Sequence, residues 1–71
     1  MEQNIRIEST HNYQKEFDGL VYQEVEAYYE SKTDAKETLA LEALWLRRYD
    51  NKLARVVKIG PCWVLYAREK F

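Results

Sequence analysis

One long run of strong helix formers, from about Asp34 to Tyr49 with Thr38-Leu39-Ala40-Leu41-Glu42-Ala43-Leu44-Trp45-Leu46 at its centre, governs what this chain can fold into. A lone amphipathic helix cannot bury its own apolar side, so the rest of the fold must supply a surface for it. The stripe is wide: Ala35, Leu39, Ala43 and Leu46 share one line, flanked by Ala40, Leu44 and Trp45. Asp34 is placed to cap the N-terminus, with Glu37 at capping-box spacing, and Ser31 or Thr33 compete for that role. Arg47 and Arg48 fall in the last turn, where they offset the helix dipole, and Asn51 suits the position just past the end.

The surface the helix needs is a sheet. Leu53 to Ile59 and Cys62 to Arg68 are rich in β-branched and aromatic residues and predict two strands joined at Gly60-Pro61. Gly60 can take positive φ at the first turn position and Pro61 fits the second, as a type II′ turn requires. Ile59 then faces Cys62, Val57 faces Val64 and Arg55 faces Tyr66 on one side. Val56, Leu65, Ala54, Ala67 and Trp63 lie on the other, with Lys58 at the edge. Asn4 to Glu8 alternates around Ile5 and Ile7 and predicts a further strand. From Leu20 to Glu30 two patterns compete. Val21, Val25, Ala27 and Tyr29 alternate with Tyr22, Glu24, Glu26, Tyr28 and Glu30, whereas Phe17, Leu20, Val21, Glu24 and Tyr28 match helical spacing. The tyrosine and valine content favours a strand. The expected fold class is α+β: a four-stranded antiparallel sheet in the order β-β-α-β-β, with one helix packed on one face.

Seventy-one residues make one domain, 1–71, that buries only ~60% of the surface its unfolded chain exposes. With one cysteine, Cys62, and one histidine, His11, neither an internal disulfide nor a structural zinc site can reinforce it. Six tyrosines, two tryptophans and two phenylalanines supply the core instead. No apolar run approaches the ~20 residues of a membrane span, and Met1-Glu2-Gln3-Asn4 lacks the basic and apolar stretches of a signal peptide. A cytoplasmic location is the expectation, with no membrane partner.

Both sides of the last hairpin are apolar, yet a single helix covers one. Either the residues Thr10–Gly19, with Tyr13 and Phe17, fold over the other side, or that side is open. An open face would present Tyr22, Tyr28, Arg55, Val57, Val64 and Tyr66 as an aromatic and arginine patch, bordered by Glu24 and Glu26, of the kind found at protein interfaces. It would also offer a surface for homodimerisation.

Catalytic and metal chemistry find little support. Ser9-Thr10-His11 brings a hydroxyl near an imidazole, but neighbours on a strand end point apart, so a solvated loop histidine is expected. Glu24 and Glu26 would lie about 7 Å apart on one strand face. On an open sheet they have no cleft to differentiate them, and no loop of oxygen ligands accompanies them and Glu30. Cys62 beside Trp63 is expected to be a packed, inert thiol. No enzyme, metal or cofactor is expected.

Charge speaks to partners. Residues 1–44 carry ten acids and four bases, whereas residues 45–71 carry seven bases and two acids, so the overall net of −1 hides a dipolar chain. Arg47, Arg48, Lys52, Arg55 and Lys58 form a basic cluster that could track a nucleic-acid backbone, although neither an RNP-type aromatic motif nor a Gly-rich phosphate loop is present. Glu16, Asp18, Glu24, Glu26 and Glu30 could address a basic groove on a protein instead.

The β-β-α-β-β order, ending in Arg55-Val56-Val57-Lys58-Ile59 and Trp63-Val64-Leu65-Tyr66, resembles several small phage and mobile-element proteins. Among these are anti-CRISPR inhibitors that bind surveillance complexes. The resemblance spans Ile5 to Arg68 and is architectural, so it transfers no functional residue. It implies a phage-encoded inhibitor, acting in the host cytoplasm by steric and electrostatic occlusion of a larger protein or complex. The alternative expectation is a small nucleic-acid-binding regulator using the basic cluster.

Overall fold

The computed structural model describes residues 13–70. It contains β1 (Gln14–Phe17), β2 (Leu20–Tyr29), α1 (Ala35–Tyr49), β3 (Lys52–Ile59) and β4 (Cys62–Glu69). The strands form one antiparallel sheet in the spatial order β1-β2-β4-β3, and α1 packs over β3 and β4. The expected α+β class and β-β-α-β-β order are therefore observed, with Gln14–Phe17 as the first described strand. Gln14–Phe17 lies within the stretch expected to be a loop, and the Asn4–Glu8 strand lies outside the described residues.

Local chemistry explains the hairpins. Asp18 and Gly19 sit at φ 53° and 82° between the paired residues Phe17 and Leu20, the two positive-φ positions of a type I′ turn. Gly60, at φ 56°, opens the turn that pairs Ile59 with Cys62. The β3–β4 register has the expected pairs Val57 with Val64 and Arg55 with Tyr66. Tyr22 pairs with Lys15 and Tyr28 with Trp63, so the 20–29 segment is strand rather than helix.

The helix starts without the expected capping box. Asp34 occupies the N-cap position in a left-handed conformation, φ 62°, and its carboxylate makes no capping hydrogen bond. At the other end Asn51 takes φ 55°, and the Asp50 amide donates to the Leu46 carbonyl.

β2 departs from simple alternation at a β-bulge. Glu24 pairs with Tyr66 and Glu26 with the adjacent Leu65, leaving Val25 as the extra residue, half-exposed. Tyr22, Glu24, Ala27 and Tyr29 consequently lie on the sheet face away from the helix, and Glu26 and Tyr28 on the helix face. Removing Val25 would leave a regular strand in which every one of these residues keeps its side. Its deletion is expected to change stability by no more than about 1 kcal/mol in urea unfolding. Deletion of Ala27 would also absorb the bulge but would set the Glu26 carboxylate in the buried place of Ala27, and should cost several-fold more, on the order of 3 kcal/mol.

Two apolar clusters result. Leu39, Ala43, Ala54, Leu65 and Ala67 lie between helix and sheet, joined by Tyr28, Leu46, Val56 and Trp63. Tyr22, Ala27, Cys62, Val64 and Tyr66 form the second on the opposite face, joined by Phe17, Leu53, Val57 and Ile59.

Candidate interaction surface

The sheet face away from the helix is closed. Tyr22 is 4% exposed, Tyr66 and Val64 are fully buried, and Val57 is half-buried. Phe17 packs edge-on against Tyr22 and Tyr66, with ring centroids 5.1 and 5.8 Å apart. The Arg55 guanidinium lies 5.0 Å from the Phe17 centroid and pairs with Asp18 at 2.5 Å. The β1–β2 turn thus folds over this face, and burial pushes the Tyr66 phenol above its ordinary pKa, with the nearby Glu24 charge adding to the shift. The open patch expected from Tyr22, Tyr28, Arg55, Val57, Val64 and Tyr66 does not form. Three of the six are core, Tyr28 belongs to the helix side, and Arg55 is engaged. Glu24 and Glu26, expected as neighbours on one face, are separated onto opposite faces by the bulge.

The basic cluster is largely satisfied within the chain. Lys52 pairs with Glu69 at 3.2 Å, Lys58 with Glu30 at 2.9 Å and Arg55 with Asp18, while Arg47 donates to the Ala54 carbonyl at 3.1 Å. Arg48 alone of the five is exposed with no such contact among the described residues. Two of these ion pairs, Arg55–Asp18 and Lys58–Glu30, join the acidic half of the chain to the basic half, and a phosphate backbone would have to displace all three pairs.

On the helix side, Glu26, Tyr28 and Glu42 make a polar group between β2 and α1. The Tyr28 hydroxyl donates to Glu26 Oε2, which, with burial and the neighbouring Glu26 and Glu42 charges, pushes its pKa up to about 12. Burial, a hydrogen bond with Glu26 and the Glu26 charge hold the Glu42 carboxyl above its ordinary value of 4.5. The folded chain therefore keeps the Glu42 proton to higher pH than the unfolded chain does. This contribution favours the fold in acid and declines as pH rises from about 4.5 through the folded pKa. Glu42→Gln is expected to remove that decline and to raise the urea midpoint relative to wild type most above the transition. Parallel pH profiles that never diverge would contradict it. Among the described residues no three His, Cys, Asp or Glu side chains are grouped to hold a metal. Cys62 is buried, as expected for a packed thiol, and Ser9-Thr10-His11 lies outside the described residues.

Among the described residues the three most exposed large apolar side chains, Tyr49, Trp45 and Leu41, lie on α1, while Leu20, Val21, Val25 and Tyr29 of β2 are 41–47% exposed. Leu41 is 56% exposed, Leu44 42%, Trp45 59% and Tyr49 70%. Trp45 and Tyr49, one turn apart, meet edge to face at 5.8 Å. A crevice of about 430 Å³ runs along this side, lined by Thr38, Leu41, Glu42, Trp45, Leu46 and Asp50. The width of the apolar stripe was visible in the sequence. Nothing local, however, tells which side of a wide stripe meets the sheet, and Leu44 and Trp45, on its flank, stay exposed. No helix among the described residues is long and apolar enough to cross a membrane. Comparison with protein-family models, curated proteins and solved structures found no match.

Proposed function

We propose that this chain is a non-enzymatic protein-binding module that docks on a larger protein through the Trp45 side of α1. The observation that carries this reading is the exposure of Leu41, Trp45 and Tyr49 along two turns of a helix whose other side is fully packed. Exposed aromatics in a row are uncommon on a small monomer and common at binding hot spots. The carboxylates of Glu42 and Asp50 at the crevice suit a partner that inserts an apolar side chain next to a lysine or arginine. Binding there would act by occlusion. A phage-encoded inhibitor of a host defence complex is the specific form of this reading, supported by the β-β-α-β-β architecture alone.

The test is capture from nuclease-treated lysate of the source cells, comparing wild type with Trp45→Ala at equal folded concentration. A protein held by wild type at moderate salt and lost with Trp45→Ala is the expected result. Capture unaffected by the substitution, or capture that disappears with nuclease, would overturn the reading.

A further inference from the structure

The outermost line of α1 carries a second pattern, which shares Leu41 with the crevice. Glu37, Leu41, Leu44 and Arg48 follow one another at spacings of four, three and four residues. This is the a/d spacing of a coiled-coil seam. At ~100° per residue these four positions lie opposite Leu39, Ala43 and Leu46, which face the sheet. All four are exposed, and neither Glu37 nor Arg48 makes an ion pair among the described residues.

We infer that a second copy of this chain occupies this seam, with the two α1 helices antiparallel about a two-fold axis. The seam is complementary to itself in that direction only. Reversed end to end, Glu37 opposes Arg48 of the other copy, Leu41 opposes Leu44, and the symmetry repeats each contact. The two Trp45 side chains then lie along one flank of the seam and the two small Ala40 side chains along the other, all exposed in the single chain. A parallel pair would instead set Glu37 against Glu37 and Arg48 against Arg48, which like-charge repulsion disfavours. The contact is isologous, so it closes after two copies. One 15-residue helix per copy gives an interface near or below the ~1,200 Å² at which stable interfaces begin, so dissociation in the micromolar range or weaker follows. The Thr38, Glu42 and Asp50 flank of each helix stays outside the seam, and this inference does not depend on the crevice being a partner site.

Sedimentation equilibrium from micromolar to millimolar protein tests it, with helicity measured for each variant at monomeric concentration. Wild type should pass from monomer to dimer. Glu37→Arg and Arg48→Glu alone each turn two attractive contacts into two repulsive ones and should weaken the dimer about tenfold or more. An equimolar mixture of the two single variants restores both pairs and should dimerise within about threefold of wild type. The double variant Glu37→Arg/Arg48→Glu should also recover, although it places the wrong charge at both ends of the helix dipole. Recovery therefore reports pairing rather than helix strength. A chain that stays monomeric at millimolar concentration overturns the inference, and Trp45-dependent capture would then still support the crevice reading. Dimerisation indifferent to these reversals overturns it as well, by placing the contact elsewhere.

Discussion

Tyr66→Ala is expected to unfold most of the protein at 37 °C. Tyr66 is fully buried on β4, the strand that pairs with both β2 and β3, and it carries the Phe17 ring on its outer face. Removing a buried aromatic side chain costs about 3–5 kcal/mol, through lost transfer free energy and the cavity left behind. Domains have about 5–15 kcal/mol in total, and one of this size falls at the low end. Phe17 and the Arg55–Asp18 pair, which the ring helps to position, would lose their seat together. Urea unfolding followed by circular dichroism reads the effect directly. Tyr66→Phe, which keeps the ring, should cost only about 1 kcal/mol for the lost hydroxyl contact. An alanine variant with the wild-type midpoint would mean that the ring is not core.

Trp45→Ala should do the opposite, sparing the fold and removing the partner. An exposed helix residue replaced by alanine changes stability by about 0.5 kcal/mol or less, and alanine is the better helix former. If Trp45 anchors a partner, its truncation should cost about 2 kcal/mol or more of binding, roughly a thirtyfold loss of affinity. Tyr49 would lose its edge-to-face neighbour at the same time, so Trp45→Phe, which keeps an aromatic contact, should lose less. Titration of the captured partner by calorimetry, beside an unfolding curve for each variant, separates the two effects. A Trp45→Ala variant that unfolds would make the indole structural, contrary to its exposure.

Much of the architecture was legible where local chemistry and long-range packing agree. The Gly60-Pro61 turn lies between two β-rich runs, and the register it implies, Arg55 with Tyr66 and Val57 with Val64, is observed. The helix ends where Arg47, Arg48 and Asn51 suggest. The first described strand had a signal too, since Asp18-Gly19 between Phe17 and Leu20 is a strong short-range hairpin cue. It was obscured by the stretch before it, Tyr13-Gln14-Lys15-Glu16, in which little alternates. The bulge at Val25 left no mark, because alternation continues through 20–29 and only pairing with β4 decides which residue is extra. That one residue decided the candidate site as well. It divided Tyr22 and Glu24 from Glu26 and Tyr28, and with the closure by Phe17 it turned an expected contact patch into core.

The two outer strands have a consequence for how copies of this chain can gather. β1 spans four residues, and β3 carries Lys52, Arg55 and Lys58 along its length. The charged β3 margin is a poor template for adding strands from neighbouring molecules, whereas β1 covers only Leu20–Gln23 of the ten-residue β2. Strand addition along the β3 margin is thereby disfavoured, although the chain is rich in tyrosine and valine. The most exposed apolar residues, Leu41, Trp45 and Tyr49, sit on a helix, where association ends with a defined partner rather than a fibre.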